Sequence, residues 1–390
     1  MPSGDFAAYV AAAKAAIADA NQALERPLAA AVIEDRAPFE LVPDPRRCPP
    51  SADGRHPKAA LLLHGLGGSP YEMRDLGRAL VEACYLVRAI LLPGHGTVPG
   101  DLLDVDDQEW VQATRLAIAS FERKAERLVL VGFGVGATLA LHAALLDQPP
   151  PGPELVGAVL LSPALGTGAP PAWLRAPALY GDLLPAARWS RLLADGDPVR
   201  YESMPHHAEL QRARLIAALD AREEPLQLPV YVAISASDAE FDPGAARDWF
   251  CRRLSGPRRL IWYTPAPAGD TGCQFVVERA SAATTGILDL SHVALPIAPD
   301  NPRYGAEGAY LDCSHYYWEV DTPSWFICMD PSKTAANSKV RQGEITEANL
   351  QRHVVRRLTY NPDFEAMVED LLAFLADPGW PQGLDVEVSP

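Results

Sequence analysis

The stretch RLVLVGFGVGATLALHAALL, residues 127–146, decides the architecture of this chain. Its first part is a short apolar run of Leu and Val that reads as a buried strand. Gly132-Phe133-Gly134-Val135-Gly136 then forces a tight turn, and an Ala/Leu-rich helical segment follows. The same grammar recurs on both sides. AALLLHG (59–65) reads as strand and PYEMRDLGRALVEA (70–83) as helix; YLVRAILLPGHG (85–96) is strand again, and WVQATRLAIASFERKA is helix. VGAVLLSPA (156–164), LPVYVAISAS (228–237) and RRLIWYTP (258–265) are further strands. Continuous apolar strands alternating with helices imply an α/β fold, a doubly wound and mostly parallel sheet covered on both faces.

The chain has 390 residues, 50 acidic against 34 basic side chains, and a formal charge of −16. That balance would repel phosphate and excludes a simple nucleic-acid binder. The hydrophobic fraction of 48% excludes intrinsic disorder. No run approaches the roughly 20 apolar residues of a membrane span. Residues 1–50 read as an N-terminal amphipathic helix (Phe6, Tyr9, Val10, Ile17, Leu24), docked on the surface, and a lead-in. They lack the basic start and apolar core of a signal peptide, and the compartment stays open. Residues 51–390 form the main domain. Within it, about 165–227 breaks the alternation with Pro-rich turns and aromatics (Trp173, Leu174, Tyr180, Leu183, Leu184, Trp189). It reads as a cap over the carboxyl end of the sheet, where ligands of such sheets bind. The six cysteines, at 48, 84, 251, 273, 313 and 328, include no CxxC pair, so zinc is not expected. Cys313 and Cys328 are open to a disulfide or to free thiols.

Three positions could carry chemistry. Strand, G-x-S-x-G turn and helix together form a nucleophile elbow, in which only small neighbours fit and the central side chain is lifted above the sheet. Both outer glycines are present, and Gly134 stands where the serine belongs. The competing dinucleotide fingerprint needs G-x-G-x-x-G, and here the third glycine falls one place early. Asp238 closes the strand VYVAISAS and is placed to hold an imidazole, whereas Asp242 suits the cap of the next helix. His292, in ILDLSHVALPI, comes last in the order nucleophile, acid, base. The loop His64-Gly65-Leu66-Gly67-Gly68 could supply an oxyanion donor, with the amides of Leu66 and Val135 converging on a carbonyl oxygen. His64 and His95 read as structural.

LLLHGLGGSPYEMRDLGRAL, LVRAILLPGHGT and LVGFGVGATLAL together resemble the carboxylesterase, monoacylglycerol-lipase and serine-aminopeptidase branch of the α/β-hydrolase superfamily. ILDLSHVALPIAPDNPRYG and EITEANLQRHVVRRLTYNPDFEAMVEDLLAFL resemble a bacterial subgroup of it. The resemblance implies an α/β-hydrolase fold over about 57–376, Asp238 as acid, His292 as base, and Leu66 and Val135 as oxyanion donors. It also implies hydrolysis of a small-molecule carboxylic ester, without cofactor or metal, and the apolar, aromatic cap suggests a hydrophobic acyl or aryl group. Glycine offers no oxygen nucleophile. Three accounts of Gly134 follow: a hydrolase disabled at its nucleophile, a natural pseudo-hydrolase that binds a hydrophobic ligand, or other chemistry driven by Asp238 and His292.

Overall fold

The computed structural model describes residues 5–145, 150–166, 185–222, 225–267, 272–281, 286–317, 322–330, 332 and 340–376. The strands, in chain order, are β1 (Phe39–Leu41), β2 (His56–Leu63), β3 (Leu86–Ile90), β4 (Ala125–Phe133), β5 (Glu154–Leu161), β6 (Trp189–Arg191), β7 (Met204–Pro205), β8 (Val230–Ser235), β9 (Arg258–Thr264), β10 (Val276–Ala280), β11 (Val340–Gly343) and β12 (Val354–Arg357). Eight of them form one sheet in the order β1-β3-β2-β4-β5-β8-β9-β10. Every neighbouring pair is parallel except the edge strand β1, which runs antiparallel to β3.

The alternation within β4 explains why its sequence is apolar throughout. After the helices α1 (Phe6–Ala23), α2 (Ala30–Arg36) and α3 (Arg74–Glu82) come α4 (Asp107–Ala119), α5 (Val135–Ala144), α6 (His206–Asp220) and α7 (Pro243–Arg253), and Leu128 and Leu130 face the side covered by α4 to α7. Val129 and Val131 face the other, with the helices Arg74–Glu82 and Phe364–Leu375. A strand buried on both sides cannot afford a polar position, which is the difference from a sheet with one wet face.

Helix starts follow local chemistry. Asp106 and Glu109 form a capping box at α4, and Asp242 caps α7 through Ala245 N at 3.0 Å. The helix Phe6–Ala23 buries Phe6 and Ile17. Tyr9 Oη fastens that helix by donating to Leu91 O and accepting from Leu91 N, both at 3.0 Å.

Between β5 and β8, residues 167–184, with Trp173, Leu174, Tyr180, Leu183 and Leu184, lie outside the described residues. The chain then makes the short antiparallel pair β6–β7 and continues into α6. All six cysteines are paired, as Cys48–Cys84, Cys251–Cys273 and Cys313–Cys328. The last bridge joins the helix Thr322–Cys328 to the segment before it, beside the small parallel pair β11–β12.

Candidate active site

Sheet order alone locates a crevice. From β2 the chain goes to β3 on one side and then to β4 on the other, so the loops leaving β2 and β4 diverge at their carboxyl ends. Such a switch point is where open α/β sheets bind ligands. The loop after β2 is His64–Gly68, and the turn after β4 is Gly132–Gly136.

The turn is built by steric exclusion. A Cβ on Gly132 would lie 2.3 Å from Gly136 C, and one on Gly136 would lie 2.2 Å from Leu63 O. Both collisions are with backbone, so no rotamer relieves them. Gly134 differs. Its φ is +55° and ψ −118°, a region open essentially to glycine, yet a Cβ there would meet nothing closer than His292 Nε2 at 3.6 Å. The space above the turn is therefore sized for one side chain, at its centre, facing an imidazole nitrogen.

That imidazole is held from behind. His292 Nδ1 and Asp238 Oδ2 are 2.7 Å apart, and both residues are buried. A carboxylate only accepts, so Nδ1 carries the hydrogen and Nε2 is turned to Gly134. Asp238 is fixed in turn, since its Oδ1 accepts the N–H groups of Glu240 at 2.9 Å and Phe241 at 3.1 Å. The rings of Phe133 and Phe241 pack against the imidazole with centroids at 4.9 and 5.0 Å. Gly134, Asp238 and His292, far apart in sequence, thus meet at one point.

The N–H groups of Leu66 and Val135 have no acceptor among the described residues, and Val135 heads α5. A helix N-terminus favours negative charge. His64 is fully buried, with Nε2 accepting Leu92 N–H at 3.0 Å and Nδ1 at 2.8 Å from Gly65 O. Burial first, and the adjacent His95 second, hold its pKa well below the ordinary value, so it ties two loops together as a neutral ring. Burial likewise pushes His95 down to about 4.

Sequence reasoning missed the polar groups around this core. Glu72 is buried beneath the loop, its Oε2 accepting Gly65 N–H at 3.2 Å and its Oε1 pairing with Arg200 Nε at 3.0 Å. Burial raises its pKa, opposed by Arg200, the Gly65 N–H and His292. Glu344 and Arg357 approach from the β11–β12 region, with Arg357 Nε 3.0 Å from Glu344 Oε1. None of these has a motif around it, and only the folded chain brings them near.

Among the described residues no three His, Cys, Asp or Glu side chains group as a metal site, and no helix is long and apolar enough to cross a membrane.

Residues 60–323 match the sequence model of the alpha/beta hydrolase family. A thermostable monoacylglycerol lipase of Bacillus sp. (strain H-257) is 27% identical over 190 residues, 49% of this chain and 74% of that protein. A carboxylesterase of Bacillus subtilis (strain 168) is 42% identical over 53 residues, 14% of this chain and 22% of that one. Among solved structures, a Paleococcus ferrophilus monoacylglycerol lipase superposes with a TM-score of 0.44 at 17% identity, covering 58% of this chain and 88% of the other.

Proposed function

This chain belongs to the alpha/beta hydrolase family, and on that premise we propose that its site is that of a carboxylic ester hydrolase lacking its nucleophile. The observation that carries the reading is the 3.6 Å between a Cβ at position 134 and His292 Nε2, with Asp238 2.7 Å behind the ring. A hydroxyl on that Cβ falls within hydrogen-bond reach of the nitrogen that would take its proton. The names of the Bacillus relatives, a monoacylglycerol lipase and a carboxylesterase, support ester substrates.

With serine at 134 the steps follow from the geometry. His292 Nε2 accepts the hydroxyl proton as the oxygen attacks the ester carbonyl, and Asp238 stabilises the imidazolium that results. The tetrahedral oxyanion is met by the Leu66 and Val135 N–H groups, each such donor being worth about 10²–10³ in rate. Collapse expels the alcohol with the proton from His292, and water then releases the acid by the same route. The described stretch 185–222 is read as part of a cap over an acyl or aryl pocket, a reading supported by the 2.7 Å bond from Tyr201 N–H to Gly67 O in the loop after β2. With glycine at 134 the first step has no oxygen, and only catalysis of about 10³–10⁴ over water remains from the donors and binding. A second reading rests on the intact Asp238–His292 pair, which can instead activate water.

The test is hydrolysis of p-nitrophenyl esters of several chain lengths by the chain and by Gly134→Ser. The expected result is turnover and fluorophosphonate labelling only with serine. Silence from both restricts the hydrolase reading to ancestry. Turnover by the glycine form, resistant to fluorophosphonate, supports the water-activating reading instead.

A further inference from the structure

A ring of polar side chains closes around the Asp238–His292 pair. Glu344, fully buried just after β11, accepts the backbone N–H of His292 on Oε2 at 2.7 Å. Its Oε1 accepts Ile345 N–H at 2.8 Å and Arg357 Nε–H at 3.0 Å. Arg357, the last residue of β12, directs Nη2 to Glu240 Oε1 at 3.0 Å. Glu240 in turn donates its N–H to Asp238 Oδ1 at 2.9 Å. The circuit runs from His292 through Glu344, Arg357 and Glu240 to Asp238, and closes over the 2.7 Å bond between imidazole and carboxylate.

Two features separate this ring from ordinary packing. The N–H of His292 opens the short turn His292–Ala294, and Ser291, at the capping position, makes no side-chain cap bond. Its hydroxyl donates to Leu358 O instead. The acceptor comes from 52 residues further along the chain. In addition, a carboxylate taken fully out of water is costly unless paired, and here every oxygen is used on the segment carrying His292 or on the cation tied to the segment carrying Asp238. Both Glu344 and Arg357 lie beyond residue 323, outside the part matched by the family.

We infer that Glu344 and Arg357 are positioning residues for His292 and Asp238. The planar guanidinium fixes two carboxylates relative to each other, and each carboxylate belongs to or holds one of the two loops. The ring therefore sets the separation of the pair and the direction in which Nε2 points. The inference deepens the ester-hydrolase reading, and only its kinetic arm rests on that reading.

The first arm is proton NMR on the chain as it stands, following the low-field Nδ1–H resonance shared by His292 and Asp238, assigned by its loss in His292→Ala. Glu344→Ala is expected to abolish or shift it. Glu344→Gln, whose amide oxygen can still accept the His292 N–H, is expected to retain it, and Arg357→Lys to shift it. The second arm uses Gly134→Ser, where Glu344→Ala should lower kcat by about 10–100-fold, with KM within about twofold, since misplacement of ~1 Å costs about 10². The inference is overturned if folded Glu344→Ala keeps the resonance in place and kcat within twofold. If Glu344→Ala does not fold, an unmoved resonance in Arg357→Lys overturns it. If Gly134→Ser never turns over, the NMR arm still decides the inference, and it is the ester reading that falls.

Discussion

Three glycines share one turn, and alanine in place of each should have unequal consequences. At Gly136 a Cβ would sit 2.2 Å from Leu63 O and 2.6 Å from His64 O; at Gly132 it would sit 2.3 Å from Gly136 O. Real carbon–oxygen contacts stop near 3 Å, so β2 or the first turn of α5 has to move by about an ångström. Both elements are deeply buried here, with Leu61, Leu62 and Leu63 of β2 and Val135, Ala137 and Thr138 of α5 all fully covered. A shift there disturbs packing on both faces at once, which places Gly132→Ala and Gly136→Ala in the exceptional range above about 4 kcal/mol. Gly134→Ala has no collision, its nearest contact being His292 Nε2 at 3.6 Å. Its cost is the positive φ alone, about 1–3 kcal/mol. The assay is the guanidinium midpoint of each purified variant, with the denaturant slope checked for constancy. If Gly136→Ala loses less than about 1 kcal/mol, or Gly134→Ala loses as much as Gly136→Ala, the steric account of the turn is wrong. Serine at 134 should carry the same strain as alanine, so a gain in turnover should come with a lower midpoint.

Two further expectations concern charge and covalent ties. Burial pushes the carboxyl of Asp197 from 3.8 up to about 6, although Tyr304 Oη donates to it at 2.5 Å and Val199 N–H at 3.0 Å. Between these two values the folded state holds the proton more firmly than the unfolded chain does. The contribution is therefore complete below about pH 4 and is lost as pH rises through 6, so that at neutral pH Asp197 costs up to about 3 kcal/mol. Asp197→Asn should raise Tm at pH 8 relative to the parent and leave it little changed near pH 4; an equal gap at both values would contradict this. The Cys48–Cys84 bridge spans 36 residues, and replacing both by alanine should cost about 4 kcal/mol by loop-closure entropy. Thermal unfolding without reductant measures it, and an unchanged Tm would mean the bridge constrains nothing in the unfolded chain.

The sheet was legible because its strands are apolar on both faces, and β2, β4, β5, β8 and β9 fall within two or three residues of their expected positions. The edge strand β1 was not, since three residues of Phe-Glu-Leu carry no period. The helix expected over WVQATRLAIASFERKA starts earlier, at Asp107, where the capping box lies, and ends at Ala119 before the charged residues. Gly134, Asp238 and His292 could be picked out because each stands at the end of a strand or in a loop signature, and Asp242 separates from Asp238 as the helix cap. Glu344 offered no such mark. Its significance comes from a contact 52 residues away, and nothing local in RQGEITEAN sets it apart from Glu347 three residues on. Cysteine pairing was legible only in part: Cys313 and Cys328 stood out as a possible bridge, left open against free thiols, and the structure pairs them, whereas nothing in the spacing chose the other two bridges among the 15 connectivities six cysteines allow.

The connectivity that results has a consequence for how the chain matures. First pairs with second, third with fourth and fifth with sixth, over separations of 36, 22 and 15 residues. A chain emerging amino end first into an oxidising space meets each correct thiol before any later competitor has appeared. Vectorial delivery alone therefore selects the native set, with no reshuffling required. Release of the whole reduced chain at once, as in refolding from denaturant, removes that ordering and exposes it to the other 14 pairings. The route by which this protein meets oxidant should matter more to its recovery than the strength of the oxidant.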